Sequence, residues 1–144
     1  MPLKVTEILL FEEQSKIELP IFSTRISAGF PSPADGDIEA KQDLNELLVR
    51  NPLATYFVRV SGDSMIDAGI HSGDILIIDK SLEPTEGKIV IAAIDGDLTV
   101  KILERIKGKL YLIAENANYA PIPIEPESDF QIWGTVTYVI HNPN

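Results

Sequence analysis

Two residues of this chain have types and surroundings that could do chemistry together. Ser64 stands in the turn "SGDSM", directly after the apolar run "ATYFVRV". A serine hydroxyl is a poor nucleophile until a base accepts its proton. Otherwise such a serine serves as an ordinary turn residue bonding local backbone. The chain has no cysteine, which excludes a thiol nucleophile, a cysteine metal site and a disulfide framework. His71 follows Ile70 in a turn and His141 stands three residues from the last residue, so both read as surface positions and poor partners. Lys101 remains, and a Ser-Lys pair needs no histidine.

A lysine can act as a base near neutrality only when it is dry. Its ordinary pKa of about 10.4 must fall by roughly 3 units, or about 4 kcal/mol. Full burial shifts a lysine by about 3–5 units, so the demand can be met. The alternative is a lysine whose stem covers apolar surface while its ammonium reaches water. Local pattern bears on the choice. Asp95-Gly96 between "KIVIAAI" and "LTVKIL" is a strong two-residue hairpin signal. Pairing across it sets Asp97 against Ile94, Thr99 against Ala92 and Lys101 against Val90. Strand alternation then places Thr99, Lys101 and Leu103 on one face, with the lysine in apolar company. Gly62, two residues before Ser64, permits close backbone approach, and backbone N–H groups around Ser64 could hold an oxyanion.

The elements that must position this pair are mostly strands. "ATYFVRV", "DILIID", "KIVIAAI", "LTVKIL", "KLYLIA" and "FQIWGTVTYVI" are short β-branched or aromatic runs separated by turn residues. "DLNELLVRNP" reads as a short helix capped by Asp43, with Glu46 as reciprocal partner, Leu44, Leu47 and Leu48 on one face, and Pro52 as its stop. Residues 1 to about 40 read as loop or extended arm, because "FSTRISAGFPSPADGDIEA" is rich in Ser, Gly, Pro and Asp. The expected fold is mainly β: a compact β-rich domain of short strands with an extended N-terminal arm and a short helix.

Other candidates are weaker. Asp95 and Asp97 lack the spacing of a calcium loop. Asp67, Asp74 and Asp79 read as solvated turn residues, and Trp133, Phe130 and Tyr138 as core. No phosphate cradle or dinucleotide fingerprint occurs, so no cofactor and no metal are expected. At 144 residues the chain fits one domain, and at 44% hydrophobic it has a globular composition. Its net charge of −10 repels a phosphate backbone. The nearest basic group, Arg105, Lys107 and Lys109 around Gly108, reads as a solvated turn, so direct DNA binding is not expected. The N-terminal apolar patch Ile8–Phe11 is cut at once by Glu12 and Glu13, unlike a signal peptide. No run approaches the roughly 18 apolar residues of a membrane span. The expectation is a cytoplasmic protein with no membrane contact.

The motifs taken in order are more specific than either residue. "VRVSGDSMIDAGIHSGDILIID", then "GKIVIAAIDGDLTVKIL", then "ENANYAPI", with "AGFPSPADGD" and "DLNELL" upstream, closely resemble the UmuD branch of the LexA/UmuD family of self-cleaving Ser-Lys proteins. The likeness runs from about Leu19 to Val139. It implies a LexA/UmuD-like fold, Ser64 as nucleophile and Lys101 as general base. It also implies backbone N–H groups of Asp63 and Ser64 as oxyanion donors, and Ala28-Gly29 as the bond cut. Residues 1–28 would be a removable arm and 29–144 the self-cleaving, dimerising domain. Family members cleave themselves when stimulated by a RecA filament on single-stranded DNA. UmuD-like members then serve, as cleaved homodimers, a Y-family, UmuC-like polymerase in damage-tolerant synthesis. The 28 residues before the bond are too few for the helix-turn-helix domain of a LexA-like repressor. A repressor fragment and a non-catalytic polymerase-binding module are the competing readings.

Local chemistry agrees with that bond. Ala28 and Gly29 carry little bulk, so an extended arm can enter a narrow cleft, and Gly29 permits a kink. About 35 residues separate the bond from Ser64, enough chain when extended to reach the serine of its own domain or of a dimer mate. Loss of residues 1–28 removes three basic and four acidic residues, taking net charge only from −10 to −9. Bulk electrostatics is therefore not the switch.

Overall fold

A computed structural model describes residues 3–10, 18–22 and 38–144, with backbone alone at 18–22 and 38–42. Its strands, in chain order, are β1 (Lys4–Leu10), β2 (Glu18–Phe22), β3 (Ile38–Asp43), β4 (Thr55–Ser61), β5 (Ile75–Asp79), β6 (Ile89–Ile94), β7 (Asp97–Ile106), β8 (Lys109–Ile113), β9 (Ile122–Pro123) and β10 (Phe130–Ile140). One short helix, α1 (Leu44–Leu48), and 3-10 turns at Pro52–Ala54 and Ile66–Ala68 complete the described elements. The fold is mainly β, as the sequence pattern predicts.

The chain divides into two compact units. The smaller, Glu12–Arg50, contains the antiparallel pair β2–β3 and α1. The Asp43 carboxylate accepts from the Asn45 N–H at 3.1 Å and starts the helix. The helix ends after only five residues, and Leu44 and Leu47 of its expected apolar face are exposed. The expected arm boundary at Ala28-Gly29 lies outside the described residues.

The larger unit comprises Met1–Phe11 and Asn51–Asn144. Six of its strands run β1-β4-β5-β10-β6-β7, and a β1–β7 pairing closes them into a barrel. β8 and β9 extend the sheet beyond β7. Two hairpin turns set the register around β7. Asp95 and Gly96 have φ of 48° and 89°, and Lys107 and Gly108 have 51° and 81°. Positive φ at both central positions is the geometry whose twist matches paired strands. Hence Ile94 opposes Asp97, Ala92 opposes Thr99 and Val90 opposes Lys101, as the sequence predicts.

Alternation along the strands builds two apolar clusters. Tyr56, Val58 and Val60 of β4, Leu76 and Ile78 of β5, Ile91 of β6 and Val100 of β7 form the first, with Leu3 and Met65. Val90, Ala92 and Ile94 of β6, Leu103 of β7 and Leu112 of β8 form the second. Lys101 sits on the β7 face that carries Leu103, directly across from Val90.

Three expectations change here. Residues 4–10 are not a loop but a barrel strand. Only Val5 and Leu9 are partly shielded, and Thr6, Glu7 and Ile8 are all exposed, so no apolar alternation marks β1 in the sequence. Trp133 is not core. It is 38% exposed and lines an open apolar groove with Leu10, Leu53 and Leu82. Phe130 and Ile132 face the second cluster, so alternation turns Trp133 outward. Asp74 and Asp79 are buried rather than solvated. The Asp79 carboxylate accepts from Asn51 Nδ2 at 2.8 Å, Ser81 N–H at 2.8 Å and Ser81 Oγ at 2.6 Å, which compensates for its burial. Among the described residues no helix is long and apolar enough to cross a membrane.

Candidate active site

β4 delivers the chain to Ser61, and Gly62 with φ of 109° turns it sharply into Asp63-Ser64-Met65. That φ is strained for any residue with a Cβ, so the turn depends on glycine. The segment after β8 clamps the turn from outside. The Asp63 carbonyl accepts from Asn116 Nδ2 at 2.9 Å and from the Ile66 N–H at 3.2 Å. Tyr119 Oη donates to the Asp63 carboxylate at 2.6 Å. This bond holds the Asp63 carboxyl below its usual range and pushes the Tyr119 phenol up to about 12. The Glu115 N–H reaches Met65 Sδ at 3.3 Å, and Met65 itself is fully buried. Ser64 is thus fixed by its neighbours on both sides, and the backbone N–H groups of Asp63 and Ser64 belong to the same clamped turn.

Lys101 Nζ donates to Ser64 Oγ at 2.8 Å and to Thr99 Oγ1 at 3.3 Å. Ser64 has no solvent exposure and Lys101 only 3%. Among the described residues no carboxylate lies within ion-pair distance of this ammonium, and two hydroxyls with the Tyr119 ring, its centroid 6.0 Å from Nζ, offset its lost hydration only in part. Burial pushes Lys101 down to about 8. At pH 7 a pKa of 8 leaves about a tenth of the lysine neutral, roughly 300-fold more than a pKa of 10.5 would. The pair has hydrogen-bond contact and a partly neutral amine, which together permit proton removal from the serine.

A third participant was not evident from sequence. Leu3 is fully buried; its N–H donates to Ser64 Oγ at 2.9 Å, and its carbonyl accepts from Thr99 Oγ1 at 3.1 Å. The start of β1 therefore lies over the Ser-Lys pair. It brings a peptide donor to the serine oxygen, not a carbonyl carbon, so it occupies the cleft without presenting a bond to attack. Two pairings hold it there with very different reach. β1 pairs with β4 from Lys4↔Ser61 through Leu10↔Tyr56, but with β7 only at Lys4↔Thr99.

The structure brings Ser64, Lys101 and the Asp63-Ser64 backbone together. Ala28 and Gly29 lie outside the described residues. Thr99, Asn116, Tyr119 and Leu3 complete the surroundings. Thr99 could have been found, since it shares the Lys101 face; Asn116 and Tyr119 lie within "ENANYAPI", a motif with no recognised chemistry of its own.

Comparison with known proteins adds an independent line. A peptidase S24-like family model matches residues 20–137. Protein SamA of Salmonella typhimurium is 44% identical over 136 residues, 93% of this chain and 94% of that protein. Protein MucA of Escherichia coli is 44% identical over 127 residues, covering 87% and 86%. The LexA repressor of Dechloromonas aromatica is 38% identical over 126 residues, 87% of this chain but 62% of the repressor.

Proposed function

This chain belongs to the peptidase S24-like family, on its UmuD branch, and from that premise we propose that it is a self-cleaving protein of the DNA-damage response. Its Ser64-Lys101 pair cuts Ala28-Gly29, and the remaining domain acts as a dimeric accessory to a Y-family polymerase. The observation that carries the reading is the 2.8 Å contact between a buried amine and a buried hydroxyl. The higher identity to SamA and MucA, 44% against 38% for the LexA repressor, favours an accessory protein over a repressor fragment.

In the proposed reaction, neutral Lys101 takes the Ser64 proton as Oγ bonds to the Ala28 carbonyl carbon. The carbonyl electrons move to oxygen, where backbone N–H groups of Asp63 and Ser64 receive the charge. The intermediate collapses by breaking the bond to the Gly29 nitrogen, which takes the proton from Lys101. Water, giving its proton to Lys101, then attacks the Ser64 ester; Lys101 returns that proton to the departing Ser64 Oγ, and Ala28 leaves as a carboxylic acid that ionises in solvent. Thr99 Oγ1 keeps the amine aimed at the serine through both transfers.

Leu3 gives this reading a resting state. Its segment occupies the cleft that the Ala28 carbonyl would have to enter, so spontaneous cleavage is slow. A RecA filament on single-stranded DNA would raise the rate by favouring the state in which β1 has left Thr99 and the cleavage segment has docked.

Purified chain incubated with and without RecA filaments, with mass spectrometry of the products, tests the proposal. A new N-terminus at Gly29, absent in folded Ser64→Ala and Lys101→Ala variants, is the expected result. Cleavage at an undiminished rate in either variant rejects the pair, and a different new N-terminus rejects the bond.

A further inference from the structure

A second polar cluster lies at the surface of the larger unit and takes no part in the proposed reaction. His71, Asp74 and His141 each offer a ligand atom, and these atoms all lie within 4.8 Å of one another. From this cluster we propose that the protein has a site for a first-row divalent cation of the zinc type, formed by the two imidazoles and the Asp74 carboxylate.

Asp74 is the fixed member. It is 2% exposed, and its Oδ2 accepts the His71 N–H at 2.7 Å while its own N–H donates to the His71 carbonyl at 3.1 Å. The tight turn thus holds the carboxylate in one orientation. His141, just beyond the end of β10, sets Nδ1 at 2.6 Å from Asp74 Oδ1. The His71 ring lies on the other side, with Nδ1 at 3.8 Å from Asp74 Oδ2 and its centroid 4.6 Å from that of His141.

One atom has no role in a purely structural cluster. His71 Nδ1 is buried and has no hydrogen-bond partner, although its ring is otherwise about half exposed. A buried ring nitrogen without a partner loses its hydration for no return. A cation held between Nδ1 and the carboxylate would use it. Zinc takes imidazole nitrogen and carboxylate oxygen at about 2.0–2.2 Å. Three such donors therefore stand a little over 3 Å apart in a tetrahedral arrangement, with solvent as the fourth. The present separations bracket that value, and both imidazoles are free enough at the surface to close on an ion. The proton shared by His141 and Asp74 would leave as the metal enters. Two nitrogen donors favour zinc, cobalt or nickel over magnesium or calcium.

The site would tie two distant parts of the chain. The turn that carries Asp74 also exchanges hydrogen bonds with the end of β4: Val60 N–H to the Asp74 carbonyl at 3.1 Å and Gly73 N–H to the Val60 carbonyl at 2.7 Å. A bound ion would fasten the end of β10 to that turn.

Titration of the full chain with Co²⁺ alone, followed by visible absorption, tests the assignment. The expected result is one cobalt per chain with the intense bands of low coordination number, displaced by Zn²⁺ and not by excess Mg²⁺. Affinity should fall by about tenfold or more in His141→Ala and in His71→Ala, the loss of a ligand costing at least as much as the loss of an outer partner. Circular dichroism before the titration verifies that both variants are folded, and either suffices. Absence of cobalt bands in the wild-type chain overturns the proposal. Bands of equal strength and affinity in both folded variants also overturn it, because the ion would then sit elsewhere.

Discussion

Two polar clusters flank the segment from the end of β4 to the start of β5, and they solve burial in opposite ways. In one, Lys101 is almost fully buried against Ser64 and Thr99, whose hydroxyls are its hydrogen-bond partners among the described residues. In the other, the Asp74 carboxylate is buried but flanked by two imidazoles that remain about half exposed. A hydroxyl stabilises an ammonium far less than a carboxylate would, so the lysine responds to burial by giving up its proton more easily. The acid of the second cluster instead gains donors. The first arrangement is costly and suits proton transfer; in the second the carboxylate is satisfied and one ring nitrogen is left over, which suits holding a ligand.

The largest effect that would break this comparison is on the cleavage rate. If Lys101 must be neutral to act, spontaneous cleavage rises about tenfold per pH unit below its pKa and levels off above about 8. A rate that keeps climbing to pH 10 would mean that Lys101 is no drier than an ordinary lysine. A rate unchanged from pH 6 to 9 would remove the lysine from the reaction.

Stability provides the next test. The folded pKa of Lys101 is about 8, below the 10.5 of the unfolded chain. Between these values the unfolded state binds more protons, so stability rises with pH through that window and is lowest, on this account, below pH 8. The shift corresponds to about 3 kcal/mol. Lys101→Met removes the charge and keeps the volume. It should abolish cleavage yet raise stability at pH 7 by about 1–3 kcal/mol, measured by urea unfolding, and the gain should shrink by pH 10. A destabilised Lys101→Met at neutral pH would show that the buried ammonium is well compensated.

Much of this site can be read without coordinates, and the reasons are local. Asp95-Gly96 fixes a two-residue turn, the turn fixes the register, and the register puts Lys101 opposite Val90. Asp74 and Asp79 do not show their burial in the sequence, because a Gly-Asp or Ile-Asp-Lys step looks solvated. Their carboxylates are in fact buried by accepting hydrogen bonds from nearby turn residues and, for Asp79, from Asn51 28 positions away. β1 is hidden in the sequence for a different reason. Its partner β4 lies some fifty residues on, as in Ile8↔Val58, and its outward residues carry no alternation. Long-range pairing of this kind leaves little local trace.

A smaller effect sharpens the comparison at its covered end. Thr99 bonds both the Leu3 carbonyl and the Lys101 amine, so Thr99→Val cuts one tie of the covering strand and one tie of the lysine with little change in volume. The two losses pull in opposite directions: a looser β1 admits the cleavage segment more often, while a less constrained amine transfers protons less well. Deleting residues 1–3 cuts the first tie and leaves the Thr99–Lys101 bond in place. Leu3 fills a fully buried place, so its loss costs stability, but β1 keeps its ladder to β4. Spontaneous cleavage in the absence of RecA should therefore rise by up to about 30-fold, about 1 kcal/mol for each of the two hydrogen bonds no longer competing. Thr99→Val combined with the deletion should cleave more slowly than the deletion alone. If the deletion leaves the rate unchanged, Leu3 is a structural plug and not a gate, and the two clusters differ in burial alone.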